Sequence, residues 1–599
     1  MANFLAVVDP DPDRRSRFIQ IITPLLPPVE DLITNSCTIG NCHAIWAAHQ
    51  SAPISWIADE NGVSVIWGEA IFQGEATRLD AISLREYWQN LNSQSPIFDG
   101  FYAAFSYHPH LGLTVGADIV GVFPVYYYTH GEVALVASSP ELFKYHPLFQ
   151  QKFNPAGLVG ILLTNGLLNG QTLWQDVIRL RGGYLLTWQA ESSPREISQY
   201  SIPAYNPEPY TNLRFSEQLD ILEQTLEQTL IRHTPNQQQY SLMLSGGLDS
   251  RMLAGFLHRR GIYPITLTQG VRSDIEMQCA VSVARTLNLE HHTQDLPFED
   301  YPAYADKIIK WEHLANGFHW FMDWLTYTNL RNLAPRVITG QSIDRLIGGS
   351  WDYSSPGQNI SFDLLYNRVI NAWGFSPQLL ERLLRKEIFG DLVQDTLTSL
   401  KTLYNSYSDT EIGRTWWFDL YHRQRFNSGC VAWQLSFGAW PVQPYLDWQL
   451  LTTTASMPIE TVSKRLAQIK LLCTRFPQLA QLPLDRNDYN VEPLQPNFAR
   501  RRLAYLFKIQ RKWRKWQHKQ GLEQRYYYRV QDINNSGWQT IRQQAEPQRE
   551  LIKHLFNEDV FNQLVPPPNL PMHFQKDSIT EASSIKTLLG FLLWSKHHI

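Results

Sequence analysis

The residues best suited to chemistry lie in one short run, Ser245-Gly246-Gly247-Leu248-Asp249-Ser250, between an apolar stretch at 240–244 and a helical pattern at 249–260. Paired glycines let a backbone close on a phosphate, and successive amide N–H groups at such a turn form an anion-binding nest. A helix start adds unpaired donors and the positive end of its dipole. The Ser245 and Ser250 hydroxyls can donate to phosphate oxygens. Asp249, once ionised, only accepts, so a carboxylate here needs a cation between itself and the phosphates. Magnesium, held by one or two carboxylates plus phosphate oxygens, has that chemistry.

Two rival loops fail on their own requirements. A Walker loop needs a lysine after its last glycine, and the chain contains no Gly-Lys dipeptide. A hydrolase elbow, G-x-S-x-G, needs glycine two places before the serine, where this chain has Met243. The remaining structural alternative is an ordinary Gly-Gly turn between a strand and a helix.

The elements around the run set its context. A chain of 599 residues exceeds one core, so two or three domains are expected. Short apolar runs at 54–57, 63–67 and 133–137, bounded by Gly, Pro, Asn or Asp, predict a β-rich first domain with few helices. Pro207 and Pro209 mark a linker. Beyond it, Leu219, Leu222, Leu226 and Leu230 have helical spacing. Strand patterns at 240–244, 264–268 and 336–340 then alternate with helical patterns at 249–260 and 274–287, which predicts a parallel α/β sheet. From about residue 360 the pattern is mainly helical.

Composition narrows the class. Hydrophobic residues make up 44% and charged residues 18%, which predicts a globular protein. A net charge of −4 gives no reason to expect nucleic acid or an anionic membrane as partner. The five cysteines, Cys37, Cys42, Cys279, Cys430 and Cys473, include no C-x-x-C pair, which argues against a disulfide framework or a zinc site. Cys37 and Cys42 read as small buried residues. The first residues lack a basic stretch followed by an apolar run, and residues 588–594 are too short to span a membrane, so a cytoplasmic protein is expected. Residues 500–519 hold nine Lys and Arg and no acid, with Leu506, Ile509, Trp513 and Trp516 at helical spacing. That stripe is expected to pack on the core; the rival reading is a site for an acidic peptide or partner.

On Ser245–Ser250 the chain resembles the asparagine synthetase family, which pairs an N-terminal glutaminase-type domain with a C-terminal ATP-pyrophosphatase-type domain. Gly270-Val271-Arg272-Ser273-Asp274-Ile275-Glu276 resembles its second segment, Thr339-Gly340-Gln341-Ser342-Ile343-Asp344 with Gly348-Gly349 its G-E-G-x-D-E loop, and Pro444-Tyr445-Leu446-Asp447 its P-F-L-D. Phe98-Asp99-Gly100-Phe101-Tyr102-Ala103 is similar to L-D-G-x-F-A, and Asp118, Gly121, Pro124 and Tyr126-Tyr127 follow D-R-x-G-x-x-P-L-Y-Y. The resemblance implies a glutamine-amidotransferase-like (Ntn-type) sandwich over 1–205, a parallel-sheet pyrophosphatase domain over 211–490, and a helical, basic extension over 491–599. It implies ATP and Mg2+ as cofactors. Leu244, Gln269, Thr339 and Gly340 would line the adenosine, the 245–250 loop the phosphates, and Asp249 and Asp344 the magnesium, as catalytic residues. The implied chemistry is attack of a carboxylate on the α-phosphate, release of pyrophosphate and capture of the acyl-adenylate by an amine.

The departures from the family pattern are as informative. A glutaminase of this class uses the thiol and free amine of a cysteine after Met1; here that residue is Ala2. Trp67 replaces an asparagine expected to stabilise the oxyanion, and Ala117 an arginine. Gln341 stands for a glutamate thought to handle protons, Arg345 for a second acid, and Trp440 and Val442 for charged residues; where a lysine is expected, Arg486 is the one cation in Pro483–Asn487. The expected function is an ATP-dependent amide ligase without glutaminase activity, acting on a carboxylate-bearing small molecule or peptide other than aspartate. Relatives that close β-lactams or macrocyclic peptides also lack the cysteine. The alternative is a non-catalytic nucleotide-binding accessory or scaffold protein. A tRNA-modifying pyrophosphatase fold is opposed by the acidic net charge.

Overall fold

The computed structural model describes residues 2–89, 98–199, 203–318, 321–347, 362–486, 489–495, 504–520, 525–574 and 579–599. Gly348, Gly349, Asn487 and Arg500 to Arg502 lie outside them. The architecture is mixed α/β, with antiparallel sheets first, a parallel sheet next and a helical C-terminal part.

Two six-stranded antiparallel sheets build the N-terminal part. At the centre of the first, Ala2–Val8 pairs with Cys42–Ala48 on one side and Val133–Ala137 on the other. In the second, Gly62–Gly68 pairs with Ile54–Asp59 and Tyr102–His108. Phe4 and Trp67 stack across the gap with ring centroids 3.8 Å apart, so the sheets share one core. Cys37 and Cys42 are buried. Among its described residues the α-helices are Pro12–Ile22, Ala81–Gln89 and Pro155–Thr164, the first of them capped by Asp11, which accepts from the Asp13 and Arg14 amides.

A five-stranded, wholly parallel sheet follows, in the order His291–Gln294, Ile265–Gln269, Tyr240–Met243, Arg336–Ile338, Trp440–Val442. The chain starts in the middle strand, builds to one side, then crosses to the other. That reversal makes a switch point between Tyr240–Met243 and Arg336–Ile338, where open α/β sheets bind ligands at the strands' carboxyl ends. The loops carrying Ser245–Ser250, Gln269 and Thr339–Asp344 all leave from that end.

Buried polar contacts join the two parts. On the second part's side of the junction, Arg232 and His233 both reach Asp447, at 2.7 Å and 3.2 Å, and Asp447 caps the helix Trp448–Ala455 through the Leu450 amide. The Trp448 amide donates to Asp99, and Arg336 Nε donates to Glu69 at 2.9 Å. Trp440, at a position where the resemblance expects charge, packs on Phe101 instead.

The last helix, Thr580–His598, is buried over most of its length. Its Trp594 indole donates to His313 Nδ1, which leaves His313 Nε2 as the donor to Glu141, 3.2 Å away. His598 reaches the same Glu141 oxygen at 2.8 Å, tying strand-rich, parallel-sheet and C-terminal parts at one carboxylate. The basic helix Ala504–Lys519 behaves otherwise, and the expectation that its apolar stripe packs on the core is wrong. Tyr505 is 72% exposed, Trp513 57% and Trp516 52%, whereas Phe507, Arg511 and Arg514 on the opposite face are half-buried.

Candidate active site

The strand Tyr240–Met243 delivers the chain into a tight turn before the helix Asp249–Arg259. Leu248 precedes that helix without a side-chain cap, so its first amides keep their donors. Ser245 N donates to Ser250 Oγ at 2.9 Å, the two hydroxyls lie 3.0 Å apart, and Gly247 N donates to Ser245 Oγ at 3.3 Å. The loop is thus braced internally before any ligand arrives. A Cβ on Gly246 would sit 2.8 Å from the Glu276 carbonyl and 3.0 Å from the Cβ atoms of Asp485 and Cys279, so only hydrogen fits beneath the turn. Gly247 opens the other way and meets nothing closer than Ser245 Oγ at 3.5 Å.

The loop after Arg336–Ile338 lies against this turn: a Cβ on Gly340 would fall 3.1 Å from the Ser250 amide nitrogen. Asp344 follows in the short helix Ile343–Leu346, entered through Ser342 in the left-handed region at φ 62°. Asp249 and Asp344, both part-buried, converge on one guanidinium. Arg465 reaches Asp249 at 3.5 Å and Asp344 at 3.1 Å. Lys464 and Arg465 have φ of 53° and 59°, a strained pair of non-glycine residues that aims the side chain inward. Gln468 Nε2 donates to Asp249 at 2.6 Å, and Arg345 lies 3.4 Å from Asp344 and 3.8 Å from Asp419.

Burial pushes the Asp249 carboxyl up to about 6; Arg465 opposes the rise and the charge of Asp344 adds to it. Two hard oxygen donors already facing a single positive group fit magnesium, whose charge would relieve their mutual repulsion.

Of the expected nucleotide contacts, Leu244 is buried with its carbonyl accepting from Thr268. Gln269 donates to Thr326 at 2.7 Å and to Asp323 at 3.3 Å. Thr339 Oγ1 is a buried hydroxyl without a partner among the described residues. The structure therefore gathers Ser245–Ser250, Thr339, Gly340 and Asp344 around one strand end, with Gln269 at the end of the neighbouring strand.

Sequence reasoning missed Arg465 and Gln468, and also the floor of the loop. There the Asp485 amide donates to the Gly246 carbonyl at 3.0 Å, and buried Arg251 donates to the carbonyls of Leu479 and Pro483. Arg525 pairs with Asp485, and burial together with the Asp485 charge pushes Glu276 up to about 7. Only the arginine in Ser250-Arg251 carried a signal, a cation on an otherwise apolar helix face.

A π-helical segment, Asp419–Ser428, separates this site from a cavity of about 840 Å³. Its Gln424 accepts from Ser342 Oγ at 3.0 Å and donates to Asp419 at 3.3 Å, on the side of the Asp344 loop. Its other side lines the cavity with Tyr421 and Arg425, opposite Arg181 and Tyr184 and beside Tyr407 and Trp417. In the N-terminal sandwich, Trp67 is fully buried between the sheets against Phe4, Trp46 and Phe105.

The switch point of the parallel sheet thus brings together a glycine turn and two convergent carboxylates. The family model for asparagine synthase matches residues 221–555, more than half of the chain, and the chain belongs to the asparagine synthase family. Proteins of Mycobacterium bovis and Mycobacterium tuberculosis that carry the name asparagine synthetase (glutamine-hydrolyzing) are 24% identical over 217 residues, 34% of this chain and 32% of theirs. The chain thus spans about a third of the length of the curated relatives it matches. Among solved structures, NMN synthetase from Francisella tularensis is 15% identical over 36% of this chain and 97% of its own, with a TM-score of 0.19. Glutamine phosphoribosylpyrophosphate amidotransferase from B. subtilis is 8% identical over 49% and 65%, with a TM-score of 0.23.

Proposed function

We propose that this chain is an ATP-dependent amide ligase that activates a carboxylate as an acyl-adenylate and passes it to an amine, without glutaminase activity of its own. The observation that carries the reading is the convergence of Asp249 and Asp344 on one cation beside the glycine turn.

In this mechanism the amides of 246–250 hold the phosphates of ATP, and Thr339 Oγ1 supplies an unused polar contact to the nucleotide. Asp249 and Asp344 would hold magnesium, which when bound offsets the charge growing on pyrophosphate. Arg465 exchanges its carboxylate partners for pyrophosphate oxygens. An oxygen of the substrate carboxylate attacks the α-phosphorus, the bond from that phosphorus to the bridging oxygen breaks, and pyrophosphate leaves. The amine nitrogen then attacks the acyl carbon, AMP departs with the bond electrons, and the nitrogen loses its proton. Gln341 is an amide and takes no proton near neutrality, so that proton goes to water or to the substrate.

A cavity of about 840 Å³ supports an acceptor larger than a free amino acid, since drug-sized ligands fill about 300–1,000 Å³. Its aromatic walls, Tyr184, Tyr407, Trp417 and Tyr421, suit a peptide. The absence of glutaminase activity is supported by Trp67, whose indole fills the space between the sheets.

The second reading, a nucleotide-binding scaffold, is favoured by Gln341 and by the hold of Arg465 on both carboxylates. Pyrophosphate release from Mg-ATP on adding a peptide fraction of cell extract separates the two. Release that disappears in Asp249→Asn supports the ligase, nucleotide binding without release supports the scaffold, and neither binding nor release contradicts both.

A further inference from the structure

The helix Ala504–Lys519 is amphipathic in an unusual sense, because its apolar side is the one turned to solvent. Tyr505, Leu506, Ile509, Trp513 and Trp516 fall within one face at helical spacing, and each is exposed, from 44% for Ile509 to 72% for Tyr505. Leaving five large apolar side chains in water on one helix opposes the hydrophobic effect, and contiguous exposed patches of this kind mark interaction surfaces. Lys508 and Lys512 border the stripe and are also exposed, and no acid occurs from 504 to 520. The cationic character is local, because the whole chain carries a net charge of −4.

We propose that this helix docks the protein on an anionic lipid surface, lying parallel to the bilayer plane with the tryptophans at headgroup level. Two features favour a lipid plane over a protein groove. First, a groove wraps a helix, whereas here the five exposed apolar residues share a single face and Phe507, Arg511 and Arg514 on the opposite face are half-buried, so a flat partner fits the side that is open. Second, two Trp and one Tyr with lysines at the border is the composition of an interfacial helix, whose rings sit between headgroups while lysine stems run along the apolar boundary to the phosphates. No helix among the described residues is long and apolar enough to cross a membrane, and an interfacial helix needs none. The expectation of no membrane partner came from net charge and apolar run length, neither of which sees a patch of this size. The inference is independent of the ligase reading and is tested without activity.

The test is cosedimentation of the full chain with vesicles of phosphatidylglycerol and with vesicles of phosphatidylcholine, at low and high salt. The expected result is binding to phosphatidylglycerol at least about tenfold above phosphatidylcholine, weakened by salt because lysine attraction to the surface is screened. The double substitution Trp513→Glu with Trp516→Glu should abolish pelleting while leaving thermal unfolding unchanged, since both side chains are exposed. Lys508→Glu with Lys512→Glu should lower binding by about tenfold or more. Equal pelleting with both lipids, none with either, or full binding by the tryptophan variant overturns the proposal. Salt-sensitive capture of an acidic protein or of RNA through the same residues, with no vesicle binding, overturns it as well.

Discussion

Arg465 holds Asp249 and Asp344 at 3.5 Å and 3.1 Å, bridging the helix Asp249–Arg259 and the loop after the neighbouring strand. One guanidinium thereby sets the geometry of both carboxylates. Its removal should show what they prefer in its place.

Arg465→Gln leaves two acids facing each other. Their partial exposure puts the cost at about 1–2 kcal/mol, below the roughly 3–5 kcal/mol of a fully buried pair. Thermal unfolding with and without magnesium checks this. Magnesium should raise the midpoint more in the variant than in the parent chain, and equal shifts would contradict a shared cation position.

The raised Asp249 carboxyl gives two opposite pH trends. Its folded-state value of about 6 exceeds the ordinary 3.8, so the folded protein binds the proton more tightly. Stability contributed by this group is present below about pH 4 and is lost as pH rises through 6. Magnesium needs the ionised form, so Mg-dependent turnover should fall as pH drops below about 6. Asp249→Asn should remove the stability trend. A turnover profile flat between pH 5 and pH 7, roughly one unit either side of that value, would contradict the assignment.

At the domain junction the sign is reversed. Burial alone would raise the Asp447 carboxyl, but His233 and Arg232 bring it down to about 2. That stabilisation is present above about pH 4 and is lost as pH falls through 2. Arg232→Met leaves Asp447 buried with a weaker set of partners and should cost about 3–5 kcal/mol, read by chemical denaturation near neutrality.

Gly246→Ala places a methyl 2.8 Å from the Glu276 carbonyl, a backbone atom that cannot step aside cheaply. The turn must shift, and Mg-ATP affinity should fall at least about tenfold, or about 1.4 kcal/mol. Gly261→Ala serves as the control, because a Cβ there meets nothing within 4 Å although its φ of 73° brings some strain.

The fold was legible where local pattern decides it. The strand at 240–244 appears as Tyr240–Met243, the helix at 249–260 as Asp249–Arg259, and the helix at 274–287 as Ile275–Thr286 with Asp274 as its cap. Arg465 was not legible, since it comes from a left-handed turn 216 residues from Asp249 and no spacing in the sequence links the two. The basic helix was half legible. Periodicity fixes which residues share a face, yet which face is covered depends on more than the helix's own sequence, and the apolar face is the open one. The burial of Thr580–His598 likewise depends on Glu141 and His313, distant partners that a hydrophobic run cannot name.

Calorimetric titration of Mg-ATP into the parent chain and into the Asp249→Asn, Asp344→Asn double variant bears most directly on the proposed nucleotide site. Saturable binding by the parent that requires magnesium, and falls at least about a hundredfold in the variant, is the expected outcome, in line with the roughly 10²–10³-fold cost of losing a preorganised charge contact. Binding of equal strength by both proteins, or binding by the parent indifferent to magnesium, would mean that these carboxylates hold no nucleotide-bound cation.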